Sequence, residues 1–133
     1  MSSKKFLALD VGSARIGVAA ADSGVRIAIP QETIPVDGQE MLSIAKLVVD
    51  GSIDTIVVGY PRNQSGEATA QTEAVEAFAK NLQDMAAVVF QDESLSSVEA
   101  ERRLETRGGS YSKADIDAEA AAIILQDYLE QNV

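Results

Sequence analysis

Four acidic residues are placed where they could act together, namely Asp10, Glu93, Asp115 and Asp117. Asp10 ends an apolar run, and an ionised carboxylate in a buried strand is costly unless it is paired or binds a metal. Glu93 follows a second apolar run, while Asp115 and Asp117 fall in the first turn of a predicted helix. Carboxylates that converge, with no histidine to act as base, suit one or two Mg²⁺ or Mn²⁺ ions that activate water against a phosphodiester.

Each acid also has an ordinary explanation. Asp10 could initiate a turn by bonding to its own backbone, and Glu93 could simply be solvated. Asp115 and Asp117 would be favoured at a helix N-terminus whatever the function. We favour the functional interpretation because one topology would bring these residues together, and we keep Asp92 and Asp115 as reserve candidates for the site.

Composition restricts the chemistry further. The 133 residues include neither cysteine nor histidine, which excludes Cys- or His-ligated zinc, Ser-His-Asp triads and Cys-His nucleophiles. The length predicts a single domain, 1–133, and no apolar run is long enough to cross a bilayer. The lack of cysteine is consistent with a cytoplasmic protein, for which we expect no membrane partner.

The net charge of −10 argues against a general electrostatic grip on nucleic acid, so any such binding must be local. We expect local contacts to the phosphate backbone from Arg15, Arg62, Asn63 and Lys113. The basic run at 102–107 has two interpretations, because its arginines either contact nucleic acid or pair with glutamates along their own helix.

The apolar patterns predict the element order β-β-β-α-β-α-β-α-α and hence an α/β fold. A hairpin-led antiparallel half joined to two parallel βα units implies a mixed five-stranded sheet flanked by helices. The predicted strands are a hairpin over 5–22, an edge or bulged strand over 25–34 containing Pro30, and two buried strands over 55–59 and 86–90. Capping boxes predict the starts of three helices: one from 37–40 to Gly51, one from 96–99 to 106, and one from 112–115 onward. A fourth helix is predicted over 67–84, with Ala74, Phe78, Leu82 and Met85 facing inward.

In such a sheet, ligands gather outside the carboxyl ends of the parallel strands. Asp10, Glu93 and the loop 60–66 should therefore share one edge. We expect the polar, glycine-containing loops 60–66 and 107–114 to close over a substrate. Tyr60 and Tyr111 would either stack on an unpaired base or pack ordinarily, and packing is the better supported of the two.

Four motifs in suitable order resemble the YqgF (RuvX-type) family of Holliday junction resolvase-like and pre-16S rRNA nuclease proteins. They are Leu9-Asp10-Val11-Gly12-Ser13 with Arg15-Ile16-Gly17, Ile56-Val57-Val58-Gly59-Tyr60-Pro61, Asp92-Glu93 with Leu95-Ser96-Ser97, and Asp117 with Ala120-Ala121-Ala122-Ile123-Ile124-Leu125. The resemblance covers nearly the whole chain.

This resemblance implies a ribonuclease H-like fold and a metal-dependent nuclease of the bacterial cytoplasm. It implies that Asp10, Glu93 and Asp117 hold the metal. It also implies that the partner is structured nucleic acid. This partner is either precursor rRNA, free or within ribosomal particles, or branched DNA. Two departures weaken the expected attraction for phosphate: Ser94 stands where the family usually has arginine, and Asp115 and Glu119 flank Asp117.

Two other functions remain open. Asp10-Val11-Gly12-Ser13 also resembles the phosphate loop of actin- or hexokinase-like ATPases, although that fold needs two lobes and this chain supplies one. A non-catalytic resolvase-like module that binds nucleic acid or the ribosome is the second alternative. The missing arginine and the acidic balance favour it, whereas three retained carboxylates argue against it.

Overall fold

A computed structural model describes residues 3–61, 69–93 and 95–133. The strands are β1 (Lys5–Val11), β2 (Arg15–Asp22), β3 (Ile29–Pro35), β4 (Thr55–Tyr60) and β5 (Ala87–Asp92). The helices are α1 (Glu40–Asp50), α2 (Ala70–Lys80), α3 (Ser96–Arg107) and α4 (Lys113–Asn132). None of the helices in these described ranges is both long and apolar enough to cross a membrane.

The strands form one mixed sheet in the order β3-β2-β1-β4-β5. β1 and β2 pair antiparallel as a hairpin and β3 continues the antiparallel half, whereas β1, β4 and β5 run parallel. The predicted element order and mixed five-stranded sheet are confirmed. The parallel arrangement places the carboxyl ends of β1, β4 and β5 at the same end of the sheet.

Each face of the sheet carries its own core, because successive strand residues point to opposite sides. Leu7 and Leu9 of β1 belong to the cluster on one face, together with residues of α1 and α2. Phe6 and Ala8 belong to the cluster on the other face, which is closed by residues 121–129 of α4. The long helix α4 therefore covers one whole side of the hairpin.

Two strand predictions need correction. β3 begins at Ile29 rather than at position 25, since the Asp22 carboxylate accepts hydrogen bonds from the backbone N–H groups of Gly24 and Val25 and holds a turn there. Its edge position and a register shift against β2 agree with the presence of a proline. β5 was expected to be buried, but Ala87 and Phe90 are exposed because it forms the other edge.

Of the three predicted capping boxes, one is confirmed and two are wrong. α1 begins after Gln39 and has no side-chain cap, so its predicted capping box is wrong. The Asp37 carboxylate accepts from the Gln39 N–H, which precedes the first residue of the helix. α3 begins after Leu95 in a left-handed conformation, so its predicted capping box is also wrong. The capping box that opens α4 is confirmed, with Ser112 and Asp115 bonding each other's backbone.

The buried face of α2 is offset from the predicted one. Ala74 is exposed, whereas Thr72, Val75 and Ala79 are buried. α2 spans Ala70–Lys80 and is followed by turns, so Leu82 packs in the core from beyond the helix end. Phe78, Leu82 and Met85 pack in the core as predicted, so the prediction is wrong only for Ala74 and for the end of the helix.

Candidate active site

A cavity of about 480 Å³ opens at the carboxyl ends of the parallel strands. Three of the predicted acids, Asp10, Glu93 and Asp117, line it together with Arg15. Its remaining lining comes from the turn after β1, the start of α2 and the start of α3, namely Val11, Gly12, Ser13, Ala14, Gln71, Leu95, Ser96, Ser97 and Val98. The structure therefore brings the predicted acids to a common site.

Each acid reaches the cavity from a different element. Asp10 lies in β1 one residue before its end, and Glu93 follows the end of β5. The Glu93 backbone N–H donates to the Tyr60 carbonyl at 3.2 Å, which continues the β4–β5 pairing by one residue. Asp117 lies near the beginning of α4, whose start is held against β3 by a hydrogen bond from the Thr33 hydroxyl to the Ala114 carbonyl at 2.7 Å. All three are therefore positioned by the sheet or by contact with it.

Two strand glycines provide the space that this assembly needs. A Cβ on Gly17, which pairs with Asp10 across the hairpin, would lie 2.0 Å from the Asp117 carbonyl oxygen. A Cβ on Gly59 would lie 2.9 Å from Glu93 Oε2 and 2.8 Å from Ile124 Cδ1. These glycines were not predicted as site residues, although glycine inside a strand is a known signal of close approach by a ligand or another backbone.

The Asp10 and Glu93 carboxyl groups are hydrogen-bonded to each other, which requires a proton on one of them. Burial, the hydrogen bond and the charge of Asp10, and the charge of Asp92 raise the pKa of Glu93 to about 8. Burial also raises the pKa of Asp10, while its bond from Glu93 acts in the opposite direction. Among the described residues no lysine or arginine is paired with these two carboxyl groups, and adjacent carboxyl groups without a cation favour retention of a proton.

Asp117 is neutralised differently. Arg15 Nε donates to Asp117 Oδ2 at 2.6 Å, and the pair is partly buried. As a result, nowhere in residues 3–61, 69–93 and 95–133 do three acidic side chains stand positioned to hold one ion together. The donor set itself fits a hard divalent cation, since carboxylate oxygens are its preferred ligands and the Asp10–Glu93 pair has no positive partner within residues 3–61, 69–93 and 95–133.

The other predicted phosphate contacts are only partly placed. Arg15 lines the cavity. Lys113 is the first residue of α4 and is exposed, but it does not line the cavity. Arg62 and Asn63, most of the loop 60–66, and Ser94 lie outside the described residues.

The arginines of α3 form ion pairs rather than an open basic surface. Arg102 pairs with Glu99 at 2.7 Å on the solvated face of its own helix. Arg107 reaches across to Glu119 of α4 at 2.7 Å, and Arg103 lies 3.8 Å from the same carboxylate. Glu119 is buried and packs against α3, so it does not add negative charge to the cavity as its sequence position had suggested.

Asp115, a reserve candidate, is occupied as the helix cap, and the reserve Asp92 is exposed at the end of β5. Both predicted stacking tyrosines already have partners. The Tyr60 ring packs edge-on against Phe90, and its hydroxyl donates to Glu76 at 2.6 Å. The Tyr111 hydroxyl bonds to Glu105 at 3.1 Å. Ordinary packing therefore accounts for Tyr60, as the sequence had favoured.

Solved structures that resemble this fold include Holliday junction resolvases. The T. thermophilus RuvC in complex with Holliday junction substrate matches with a TM-score of 0.58 at 12% identity, covering 97% of this chain and 96% of that one. The Fowlpox virus resolvase bound to Holliday junction DNA matches with a TM-score of 0.59 at 10% identity, covering 96% and 97%. RuvC-like resolvases have a ribonuclease H-like fold, and this is the class of fold to which the protein belongs.

Sequence relatives are much more similar. A protein of Chloroflexus aurantiacus named "Putative pre-16S rRNA nuclease" is 43% identical over 98% of this chain and 89% of its own length. A protein of the same name from Synechocystis is 40% identical over 93% and 86%. The model of the family RuvX, described as Holliday junction resolvase, matches residues 4–131. The chain therefore belongs to the RuvX family, as its motifs had indicated.

Proposed function

We propose that the protein is a metal-dependent nuclease that hydrolyses phosphodiester bonds in structured nucleic acid. The substrate best supported by the names of its relatives is the 5′ region of pre-16S rRNA, free or within ribosomal particles in the cytoplasm. Four-way DNA junctions are the second substrate class, supported by the family description and by the two resolvase complexes.

One observation carries this proposal: the Asp10 and Glu93 carboxyl groups meet in the lining of the cavity, and no lysine or arginine is paired with them in the described part of the chain. Because the two acids are adjacent and partly buried, ionising both of them is unfavourable unless a ligand compensates their charge. A ligand that compensates both groups must be positive, and hard divalent cations prefer carboxylate oxygen.

Asp10, Glu93 and Asp117 are the residues proposed to hold one or two Mg²⁺ or Mn²⁺ ions. An ion held there supplies positive charge that activates the attacking water and stabilises the leaving oxygen of a phosphodiester. Arg15, Arg62, Asn63 and Lys113 are proposed to hold the phosphate backbone by charge-assisted hydrogen bonds. The single domain 1–133 would carry the whole site.

A second candidate function is a module that binds nucleic acid without cutting it. The Arg15–Asp117 ion pair favours this alternative, because it occupies the third carboxylate. The two candidates predict the same binding but differ in cleavage.

The deciding experiment is cleavage of end-labelled precursor rRNA and of a four-way DNA junction, with Mg²⁺, with Mn²⁺ and with EDTA. The wild type is compared with Asp10→Asn and with the matched control Asp115→Asn. The control makes the same chemical change, but Asp115 serves only as a cap, and asparagine also accepts the capping hydrogen bond.

The nuclease proposal expects metal-dependent cleavage that Asp10→Asn abolishes and Asp115→Asn retains. Binding without cleavage by the wild type under every metal condition would support the non-catalytic module instead. Equal loss of cleavage in both variants would show that charge near α4, rather than the Asp10 carboxylate, is what matters.

A further inference from the structure

Asp117 is the third carboxylate proposed to hold the metal, and it is paired with Arg15. Arg15 uses Nε for the bond to Asp117, while its terminal nitrogens have no hydrogen-bond partner among the residues that the structure describes. The Arg15 side chain is 41% exposed, compared with 22% for Asp117. The guanidinium thus neutralises one acid of the cavity while it also faces the solvent from which a substrate arrives.

We propose that Arg15 couples metal binding to phosphate binding by holding Asp117 until a phosphate of the substrate draws the guanidinium away. This inference rests on the proposed nuclease function and makes Arg15 a positioning residue for the metal site. Without nucleic acid, an ion that recruits Asp117 must displace Arg15. With nucleic acid, a phosphate takes over the guanidinium, and the Asp117 carboxylate becomes available.

The surroundings show which partner moves. Asp117 is fixed by its backbone, because its carbonyl packs against Gly17 and the start of α4 is bonded to Thr33. Arg15 stands at the first position of β2, with a long side chain that projects into the open cavity. Its planar fork also suits phosphate, which it can bind through two parallel hydrogen bonds. The mobile partner is therefore the arginine.

Coupling of this kind is reciprocal. If phosphate binding strengthens metal binding by some factor, then metal binding strengthens phosphate binding by the same factor. An acidic chain gains from this arrangement, because the ion is recruited fully only when a polyanion is present to be cut. Substrate and metal then assemble the site together.

The test is a double-mutant cycle on the affinity for Mn²⁺, measured without nucleic acid by the electron paramagnetic resonance signal of the free ion. The four proteins are the wild type, Arg15→Gln, Asp117→Asn and the double variant. Arg15→Gln should tighten Mn²⁺ binding about tenfold when Asp117 is present, within the usual range of coupling between sites. In the Asp117→Asn background the same change should give only the smaller gain due to removal of one positive charge.

Arg107→Gln is the matched control, because it removes an arginine from an equally short ion pair outside the cavity. It should leave the affinity for Mn²⁺ unchanged. Addition of a four-way DNA junction with phosphorothioate linkages should tighten Mn²⁺ binding to the wild type severalfold and to Arg15→Gln much less. Thermal unfolding of each variant verifies that it is folded, and Arg15→Met, which also removes the positive charge, replaces Arg15→Gln if the latter is not, with the same direction expected.

An equal gain from Arg15→Gln in both backgrounds would overturn the inference, because Arg15 would then act only as a general charge. So would weaker Mn²⁺ binding by Arg15→Gln. Failure of the proposed function looks different: the wild type and all variants would bind no Mn²⁺ at this site, with or without the junction.

Discussion

Carboxylates that are wholly or partly withdrawn from water occur at two places in this protein, and their charges are compensated in opposite ways. Glu119 on α4 is buried, but Arg107 and Arg103 of α3 compensate its charge. Asp10 and Glu93 meet at the cavity with no arginine or lysine paired to them in the described part of the chain, and both carboxyl pKa values are raised. Glu119 therefore links α3 to α4 through ion pairs, whereas ionisation of both Asp10 and Glu93 is unfavourable.

The contrast separates carboxylates that stabilise the fold from carboxylates that are available to a ligand. A carboxylate retained for stability has a cation as partner, because removing charge from water without compensation is costly. A carboxylate retained for ligand binding can be left without a partner until the ligand arrives, at a cost that the rest of the fold supports. Asp117 is intermediate, since its partner Arg15 is half exposed and can leave.

The largest expected effect comes from exchanging the two glutamates for glutamine. Glu93→Gln should reduce nuclease activity by roughly 10²–10³-fold, because it removes a proposed metal ligand at the reacting centre. Glu119→Gln should retain activity but lower the free energy of unfolding by about 1–3 kcal/mol, since two arginines lose their charged partner. Cleavage assays and urea unfolding of both variants test the contrast. The comparison fails if Glu119→Gln loses activity as fully as Glu93→Gln while still folded.

The next effect concerns the glycine that lets α4 approach the hairpin. Gly17→Ala should destabilise the protein by about 3 kcal/mol or more, because the new methyl group overlaps the Asp117 backbone and the helix must shift. The measurement is thermal unfolding by circular dichroism. Gly24→Ala is the control, since its nearest neighbour would be a side-chain oxygen at 3.2 Å in an exposed turn, and it should unfold close to the wild type. A Gly17→Ala protein of native stability would mean that α4 is not held at this point.

A smaller effect distinguishes the two types of arginine on α3. Arg107→Gln should cost about 1 kcal/mol, because it leaves the buried Glu119 with one distant arginine. Arg102→Gln should cost less than about 0.5 kcal/mol, since its pair with Glu99 is exposed and lies along one helix. Urea unfolding of the two variants at the same salt concentration measures the difference. Equal costs would show that burial between the two helices does not strengthen the ion pair of Glu119 with Arg107.

Much of this architecture could be predicted because it depends on local patterns. The hairpin follows from two apolar runs around Gly12-Ser13, and the parallel strands follow from uninterrupted β-branched residues such as those at 55–59. Shared sheet edges then place Asp10 and Glu93 together without further information. The cap at Ser112 was correct because both of its partners lie within one turn.

The remaining features depend on contacts between distant residues, which a pattern does not record. The start of α3 is set by Leu95 in a left-handed conformation, although Ser96-Ser97-Val98-Glu99 has the sequence of a capping box. The bond from Arg15 to Asp117 joins residues 102 positions apart. The pairing of Arg107 with Glu119 instead of a glutamate of its own helix is equally invisible in sequence spacing.

A further effect of modest size is a pH dependence of stability in the metal-free protein. Glu93 has an ordinary pKa of 4.5 that the folded state raises to about 8, so the folded state binds this proton more tightly than the unfolded state does. The resulting stabilisation is fully present below about pH 4.5 and is lost as the pH rises through about 8. Because solvent reaches Glu93, we expect a loss of only about 1 kcal/mol between pH 6 and pH 9. Urea unfolding in EDTA across this range should show that loss in the wild type and in Glu119→Gln, but not in Glu93→Gln. Mg²⁺ at pH 8 should restore stability to the wild type, since a bound divalent cation would compensate the negative charge of Asp10 and Glu93. A wild-type stability that rises with pH in EDTA would mean that the two carboxylates are already compensated, and the contrast with Glu119 would then no longer hold.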